Sequence, residues 1–255
     1  MSLQKGELDA VSGLVDRRAV TLSGGYRSDR LNWRSVLELR KDKGAEQRDQ
    51  VLTTNVADFR INESFRVLGK FNYSKTDDDL QGLVTGGKFT EAGAGVAYRP
   101  VDNDRLNLLA KYVYLYDLQS FGQFDAGLDQ RSHIITGEAL YRLSQRWGIG
   151  AKYGMRKGEL RAERAQGEWF ESTVNFAAVR LRYNIMRKWD ALAEYRRLEV
   201  DEDNSVRDGY LIGVDRQIGD NLQFGVGYNF ADFSDDLRIL DYQQKGWYIN
   251  LVGKI

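Results

Sequence analysis

The sequence predicts an all-β fold: a transmembrane, antiparallel, up-and-down β-barrel of about 12–14 strands, in one domain spanning residues 1–255. Three observations predict it. An internal repeat has the length of a β-hairpin, its residues alternate between apolar and polar, and aromatic residues gather beside the short turns.

Composition frames these observations. Lys plus Arg and Asp plus Glu number 37 each, and the resulting zero formal charge argues against nucleic acid as a partner, since such binders carry a basic excess. Mean hydropathy is −0.53, and no run approaches the roughly 18 apolar residues of a transmembrane helix. Hydropathy alone would describe a water-soluble protein. The single proline points elsewhere, because proline cannot donate to a β-ladder and a chain of paired strands excludes it. Cysteine is absent, which is compatible with an oxidising compartment. Met1-Ser2-Leu3 reads as an added start, with the expectation that an export signal has been removed.

The repeat sets the elements. Leu68-Gly-Lys-Phe-Asn-Tyr73, Leu109-Ala-Lys-Tyr-Val-Tyr114, Gly150-Ala-Lys-Tyr153, Leu192-Ala-Glu-Tyr195 and Gly225-Val-Gly-Tyr228 each follow a short polar turn. Lys70, Lys111, Lys152 and Glu194 recur about 41 residues apart, the length of one hairpin with a long outer loop. Within the units Trp147, Ile149, Ala151 and Tyr153 alternate with Gly148, Gly150, Lys152 and Gly154. Leu222, Phe224, Val226 and Tyr228 alternate with Gln223, Gly225 and Gly227, and Leu106, Leu108, Ala110, Tyr112 and Tyr114 form a third apolar row. Such a period places one face in an apolar medium and the other in a polar one. The segments run about 10 to 16 residues, long enough for a tilted strand to cross a bilayer.

About thirteen strands are legible between Arg17 and Ile255, and a closed antiparallel barrel needs an even number. Lys5-Gly-Glu-Leu8 repeats Lys157-Gly-Glu-Leu160, so residues 3–12 are expected to form a shortened first strand, giving fourteen. Twelve results if one segment is left unpaired. Short turns fall at Arg27–Arg30, Asn62–Ser64, Val101–Arg105, Ser144–Arg146, Met186–Lys188 and Gly219–Asn221. Longer charged loops are expected at Thr76–Gly87, Gln119–Gln130 and Arg161–Glu168. Short links on one side and long ones on the other is the plan of a membrane barrel.

The aromatic positions are an independent indication. Tyr26, Phe59, Tyr98, Tyr141 and Tyr183 are the last outward residues before short turns, while Trp33, Phe65, Trp147 and Trp189 are among the first after them. A ring at that level keeps its body in lipid and its polar edge among headgroups, so these nine residues are the expected membrane girdle. That aromatics favour strands in general does not explain why they cluster beside the turns.

The last segment, Lys245-Gly-Trp-Tyr-Ile-Asn-Leu-Val-Gly-Lys-Ile255, resembles the C-terminal strand of Gram-negative outer-membrane proteins. In that family alternate apolar residues run back from an aromatic final residue, which the assembly machinery reads. Trp247, Ile249, Leu251 and Ile255 keep the alternation, with Ile in place of the usual Phe. Gly225–Asp236 together with Asp129-Gln-Arg-Ser-His133 resembles the C-terminal barrel of very large proteobacterial surface proteins. The resemblance implies an outer-membrane location, contact with lipopolysaccharide, delivery by the assembly machinery, and an anchoring or translocating role for surface domains upstream. It sets no oligomeric state.

No residue pattern calls for catalysis or a cofactor. The one histidine, His133, adjoins Ser132, and neighbours on a strand point to opposite faces, so they form no nucleophile–base pair. One histidine without cysteine makes a poor zinc site. Asp77-Asp78-Asp79, Asp201-Glu202-Asp203 and Asp235-Asp236 have the chemistry to hold Ca²⁺ or Mg²⁺ with lipopolysaccharide phosphates, but their spacing does not fit an EF-hand loop and solvated loop tips are the better reading. The glycines at 82, 86, 87, 93 and 95 lack the Gly-Lys-Ser/Thr of a phosphate loop.

The inward face carries the functional expectation. By parity the candidate lining residues are Arg34, Glu38, Arg60, Arg66, Lys70, Arg99, Lys111, Glu138, Arg142, Lys152, Arg180, Arg182 and Glu194. Arg27, Arg40, Arg156, Arg196 and Lys254 share that face, with Asp58, Glu91, Asp117, Asp190 and Asp215. Basic groups outnumber acids, and unpaired charge in a dry interior is prohibitive, so the interior is wet or filled by ion pairs. A passive, net basic pore would favour anions. A barrel closed by those same pairs would only anchor or translocate domains outside this chain. A soluble repetitive β-sheet is the third reading, and it has no reason for the girdle.

Overall fold

A computed structural model describes residues 2–10, 13–44, 47–80, 83–84, 87–118, 129–161, 167–219, 221–233, 237 and 245–253. Its elements are strands: β1 (Ser2–Ala10), β2 (Gly13–Arg27), β3 (Leu31–Gly44), β4 (Gln47–Arg60), β5 (Phe65–Leu80), β6 (Leu83–Val84), β7 (Gly87–Tyr98) and β8 (Leu106–Leu118). There follow β9 (Asp129–Arg142), β10 (Trp147–Arg161), β11 (Phe170–Met186), β12 (Trp189–Val200), β13 (Ser205–Ile218), β14 (Leu222–Asn229) and β15 (Gly246–Gly253). Fourteen strands follow one another in chain order as an up-and-down sheet, and the two-residue β6 pairs with β5 off that path.

The expected short first strand is β1, which runs antiparallel to β2 from Ser2↔Thr21 to Ala10↔Gly13. The six short turns fall where the polar links lie. Their chemistry is local: Asn62 accepts from the backbone N–H groups of Ser64 and Phe65, and Ser144 from those of Arg146 and Trp147. Lys188 closes the two-residue β11–β12 turn at φ 73°. The only proline, Pro100, lies in the β7–β8 connection, where no ladder N–H is needed.

Two departures occur at the other strand ends. Thr76–Gly87, expected as a loop, is strand as far as Leu80 and then turns back through β6, because Asp77 and Asp79 continue the β4 register opposite Asp49 and Gln47. The β12–β13 link, with Asp201-Glu202-Asp203, is a four-residue turn rather than a long loop. Asp203 accepts the Ser205 N–H at 2.9 Å, while Asn204 takes φ 51°. Residues 119–128 and 162–166 of the other two expected loops lie outside the described residues, as do Asp235 and Asp236, and Gly82 and Gly86 of the glycine run.

The chain divides into two compact units. Unit 1 comprises Met1–Val96, Tyr112–His133 and Gly158–Glu171, and unit 2 comprises Ala97–Lys111, Ile134–Lys157 and Ser172–Ile255. In both, the usual burial pattern is inverted. Unit 1 buries Arg17's partner Asp42 and also Glu91 while exposing Tyr26, Trp33, Leu39 and Phe59. Unit 2 buries Arg156, Glu194 and Arg196 while exposing Val179, Tyr210, Ile212, Trp247, Ile249 and Leu251. Contiguous apolar exposure on this scale suits hydrocarbon rather than water.

That inversion generates a stability test. Val179 lies mid-strand in β11 on the apolar face and is 50% exposed. Val179→Arg should cost roughly 2–4 kcal/mol in lipid vesicles, the midplane penalty for arginine on a lipid-facing strand position. Equilibrium unfolding by denaturant measures it; a change within about 0.5 kcal/mol, the surface norm for a soluble protein, would contradict a lipid-facing position.

Candidate functional site

In unit 1 the two-residue period puts Lys70 on the charged face of β5, and its Nζ lies 2.7 Å from Glu91 of β7. Asn72, two residues along the same face, donates to the same carboxylate at 3.2 Å. Arg66 reaches Asp58 at 3.5 Å, and Glu38 accepts from Thr21 at 3.5 Å. Arg34 and Arg60 are exposed and make no side-chain bond among the described residues.

Of a further group here, the inward-face assignment named only Arg40. Asp42, 4% exposed, accepts a bidentate Arg17 at 2.9 and 3.0 Å, and Arg40 at 2.7 Å. Arg17 stands directly opposite it in the β2–β3 register, while Arg40 lies two residues away on its own strand. Arg161 pairs with Asp129 and Arg131 with Glu159, and both guanidinium carbons stand 4.7 Å from the Trp169 ring centroid. His133 sits in an aromatic group, its Nδ1 2.7 Å from the Tyr112 hydroxyl and its ring 5.2 Å from Tyr114. Ser132 is buried without a hydrogen-bond partner among the described residues and makes no pair with it.

In unit 2 the β11–β12 register sets Arg180 opposite Glu194. Glu194, 5% exposed, is bound by Arg180 and by Arg196, two residues along β12. Glu138, Lys152, Arg180 and Glu194 together line a cavity of about 50 Å³, large enough for water to complete the polar network. Lys152 also stands 5.6 Å over the Phe176 ring. Arg142 approaches Asp104 and Arg182 approaches Asp215, each at 3.5 Å. Arg99 is exposed just past the end of β7, and Lys111 is exposed midway along β8.

The segment after β14 was not foreseen as structural. Ala231, Phe233 and Leu237 are 0%, 4% and 6% exposed. Phe233 meets Phe176 edge-on at 6.5 Å, and β10 and β13 make room for the others by lacking side chains. A Cβ on Gly154 would lie 2.8 Å from Leu237, and one on Gly209 would collide with Ala231. Within unit 2 this apolar segment therefore covers part of the charged face. Its acidic neighbours, Asp232 and Asp235-Asp236, disguise it in the sequence as a solvated loop.

The expected girdle residues flank the short turns. Tyr26 and Trp33 are cross-strand partners, 57% and 42% exposed; Phe59, Phe65, Tyr141 and Trp147 are also exposed. Tyr98, Tyr183 and Trp189 are half-buried, Tyr183 because it packs 4.4 Å from Trp147 and Trp189 because Arg216 lies over it. Trp247, Ile249 and Leu251 share the apolar face of β15, whereas Lys254 and Ile255 lie outside the described residues. Among the described residues, no three His, Asp or Glu side chains gather as a metal site.

Removing the Glu194 carboxylate should leave Arg196 buried without its counter-charge. Glu194→Ala is expected to cost about 3 kcal/mol or more. Denaturant unfolding of the refolded protein checks this, and Arg34→Ala, whose guanidinium is unpaired, should change stability little.

No family model and no curated protein matches the sequence. Solved structures do match. The siderophore receptor PirA from Acinetobacter baumannii is similar at TM-score 0.63 and 11% identity, over 89% of this chain and 42% of the receptor. PirA from Pseudomonas aeruginosa gives 0.61 and 10%, over 91% and 42%. The RagAB peptide transporter gives 0.58 and 10%, over 95% and 40%. The chain thus spans less than half the length of these three proteins, and at such identities the likeness concerns fold. The fold is that of the outer-membrane β-barrel proteins.

Proposed function

We propose that the chain is a passive, narrow pore of the bacterial outer membrane whose basic inner face favours anions. The carrying observation is the distribution of unpaired arginine in unit 2. Arg105 and Arg146 make no side-chain ion pair among the described residues, and Arg142 and Arg182 are held only at 3.5 Å. Charge left unpaired beside water lowers the cost of an entering anion and raises that of a cation. Exposed Val179, Ile212, Trp247 and Ile249 support the lipid setting over the soluble reading. The girdle rings would sit at the headgroup level. The structural likenesses support the outer-membrane location, where lipopolysaccharide and the assembly machinery would be the partners. The neighbours are receptors and transporters, in keeping with a chain that is not an enzyme.

A second reading has its own support. Lys70–Glu91, Arg17–Asp42–Arg40 and Arg180–Glu194–Arg196 are closed ion-pair groups, and the buried Phe233 segment narrows the charged face of unit 2. Those features suit an anchor whose interior is filled. Planar-bilayer recording separates the two. A pore gives discrete conductance steps with a reversal potential shifted toward the anion in a salt gradient, and Phe233→Ala should enlarge the steps. A refolded protein that inserts and carries no current would remove the pore and leave the anchor.

A further inference from the structure

Unit 2 contains a cavity of about 620 Å³ at the short-turn end of its charged face, within the range that holds small-molecule ligands. Arg105, Arg142, Arg146, Arg180 and Arg182 line it, against the carboxylates of Asp104, Asp190 and Asp215. The carboxylates do not consume this charge evenly. Arg180 is engaged by Glu194, which leaves four guanidinia. Arg142–Asp104 and Arg182–Asp215 are 3.5 Å apart, longer than the roughly 2.7–2.9 Å of charge-assisted hydrogen bonds, so both arginines can be re-aimed without breaking a good bond. Asp190 is occupied otherwise, accepting from Asn184 at 3.1 Å. Arg105 and Arg146 have no side-chain partner among the described residues.

We infer that this cavity is a binding site for a small multivalent oxyanion, a solute carrying two or more carboxylate or phosphate groups. The arginine fork fits both groups in the same bidentate manner, and a chloride ion would use only a fraction of the donors present. Asn107, Gln223 and Asn250 also line the cavity and provide uncharged polar contacts for the rest of such a molecule. Electrostatic excess alone does not point to multivalency; four separate guanidinia around one half-open cavity do. The inference deepens the anion-pore reading by naming what the pore would select, but the site can bind whether or not current flows.

Calorimetric titration of the full chain, refolded in detergent, tests it with citrate and pyrophosphate as probes and with acetate and glucose as controls. Both multivalent probes should bind in competition, with the tighter one telling whether carboxylate or phosphate is preferred; acetate and glucose should give no saturable heat. Arg105→Gln combined with Arg146→Gln should weaken binding about a hundredfold, since each lost charge-assisted hydrogen bond is worth about tenfold. Lys157→Gln with Arg207→Gln removes the same charge from exposed positions at the far ends of β10 and β13 in unit 2 and should leave affinity within about twofold, within the effect of screened long-range charge. Heat-modifiable gel mobility confirms that each variant is folded. No saturable binding by the folded protein, or equal losses in both double variants, would overturn the site. An anion-selective current without citrate binding sinks the site and keeps the pore; arginine-dependent binding without current does the reverse.

Discussion

Every peptide N–H and C=O that enters hydrocarbon has to find its partner inside the protein, because no water is there to take it. Most of this chain follows from that requirement. Twelve consecutive Cα pairs, from Trp189↔Arg216 to Val200↔Ser205, join β12 to β13, and fourteen, from Gln47↔Asp79 to Arg60↔Arg66, join β4 to β5. Ladders of that length leave no place for a proline within a strand, and Pro100 lies between strands. They also explain why Thr76–Leu80 is strand despite its acidic sequence. A residue that already has a paired neighbour continues the ladder until a turn intervenes.

With the apolar face turned outward, the charged face becomes the place where desolvation has to be met. The three ion-pair groups share one geometry. The carboxylate is the buried member, with Asp42, Glu91 and Glu194 side chains at 4%, 7% and 3% exposure. The cations that reach them from the neighbouring strand, Arg17, Lys70 and Arg180, remain 28%, 40% and 43% exposed, whereas Arg40 and Arg196, on the acid's own strand, are 20% and 10% exposed. Short acids sit near the sheet, while the long basic stems that cross from the neighbouring strand keep their heads wetter. Each acid accepts from two side chains, one across the ladder or on a neighbouring strand and a second two residues along, so that its lone pairs are shared out as burial demands.

The two-residue period exposed much of this in the sequence. It located the strands, including the short β1, and it assigned Lys70, Glu91, Arg180 and Glu194 to one face. It could not pair them, because parity gives the face of a residue and not its height along the neighbouring strand; the register does that. Arg17 and Asp42 share the parity of Arg27 and Arg40, and only the register shows that they are direct partners on β2 and β3. Ala231, Phe233 and Leu237 were missed for another reason. Their burial depends on Gly154 and Gly209, residues far away in sequence whose missing side chains create the space. Nothing local to an acidic, aromatic segment announces such a vacancy.

The arrangement along β10 and its neighbours ties these points together. Near Trp147 the charged face of unit 2 opens on the arginine-lined cavity; at Lys152 it meets the closed Arg180–Glu194–Arg196 group; at Gly154 it lies under Leu237. Pairing is therefore tightest midway and slackest beside the short turns. A face meant only to be filled gains stability from pairing at every level, since each unpaired guanidinium near the sheet loses hydration without compensation. Leaving Arg105 and Arg146 unengaged costs less at the turn end, where water is close, and it is also the level at which a charged solute would first meet the protein from that side. The same gradient in pairing thus serves folding and would serve recognition: bound charge where the chain must hold together, free charge where something must be received.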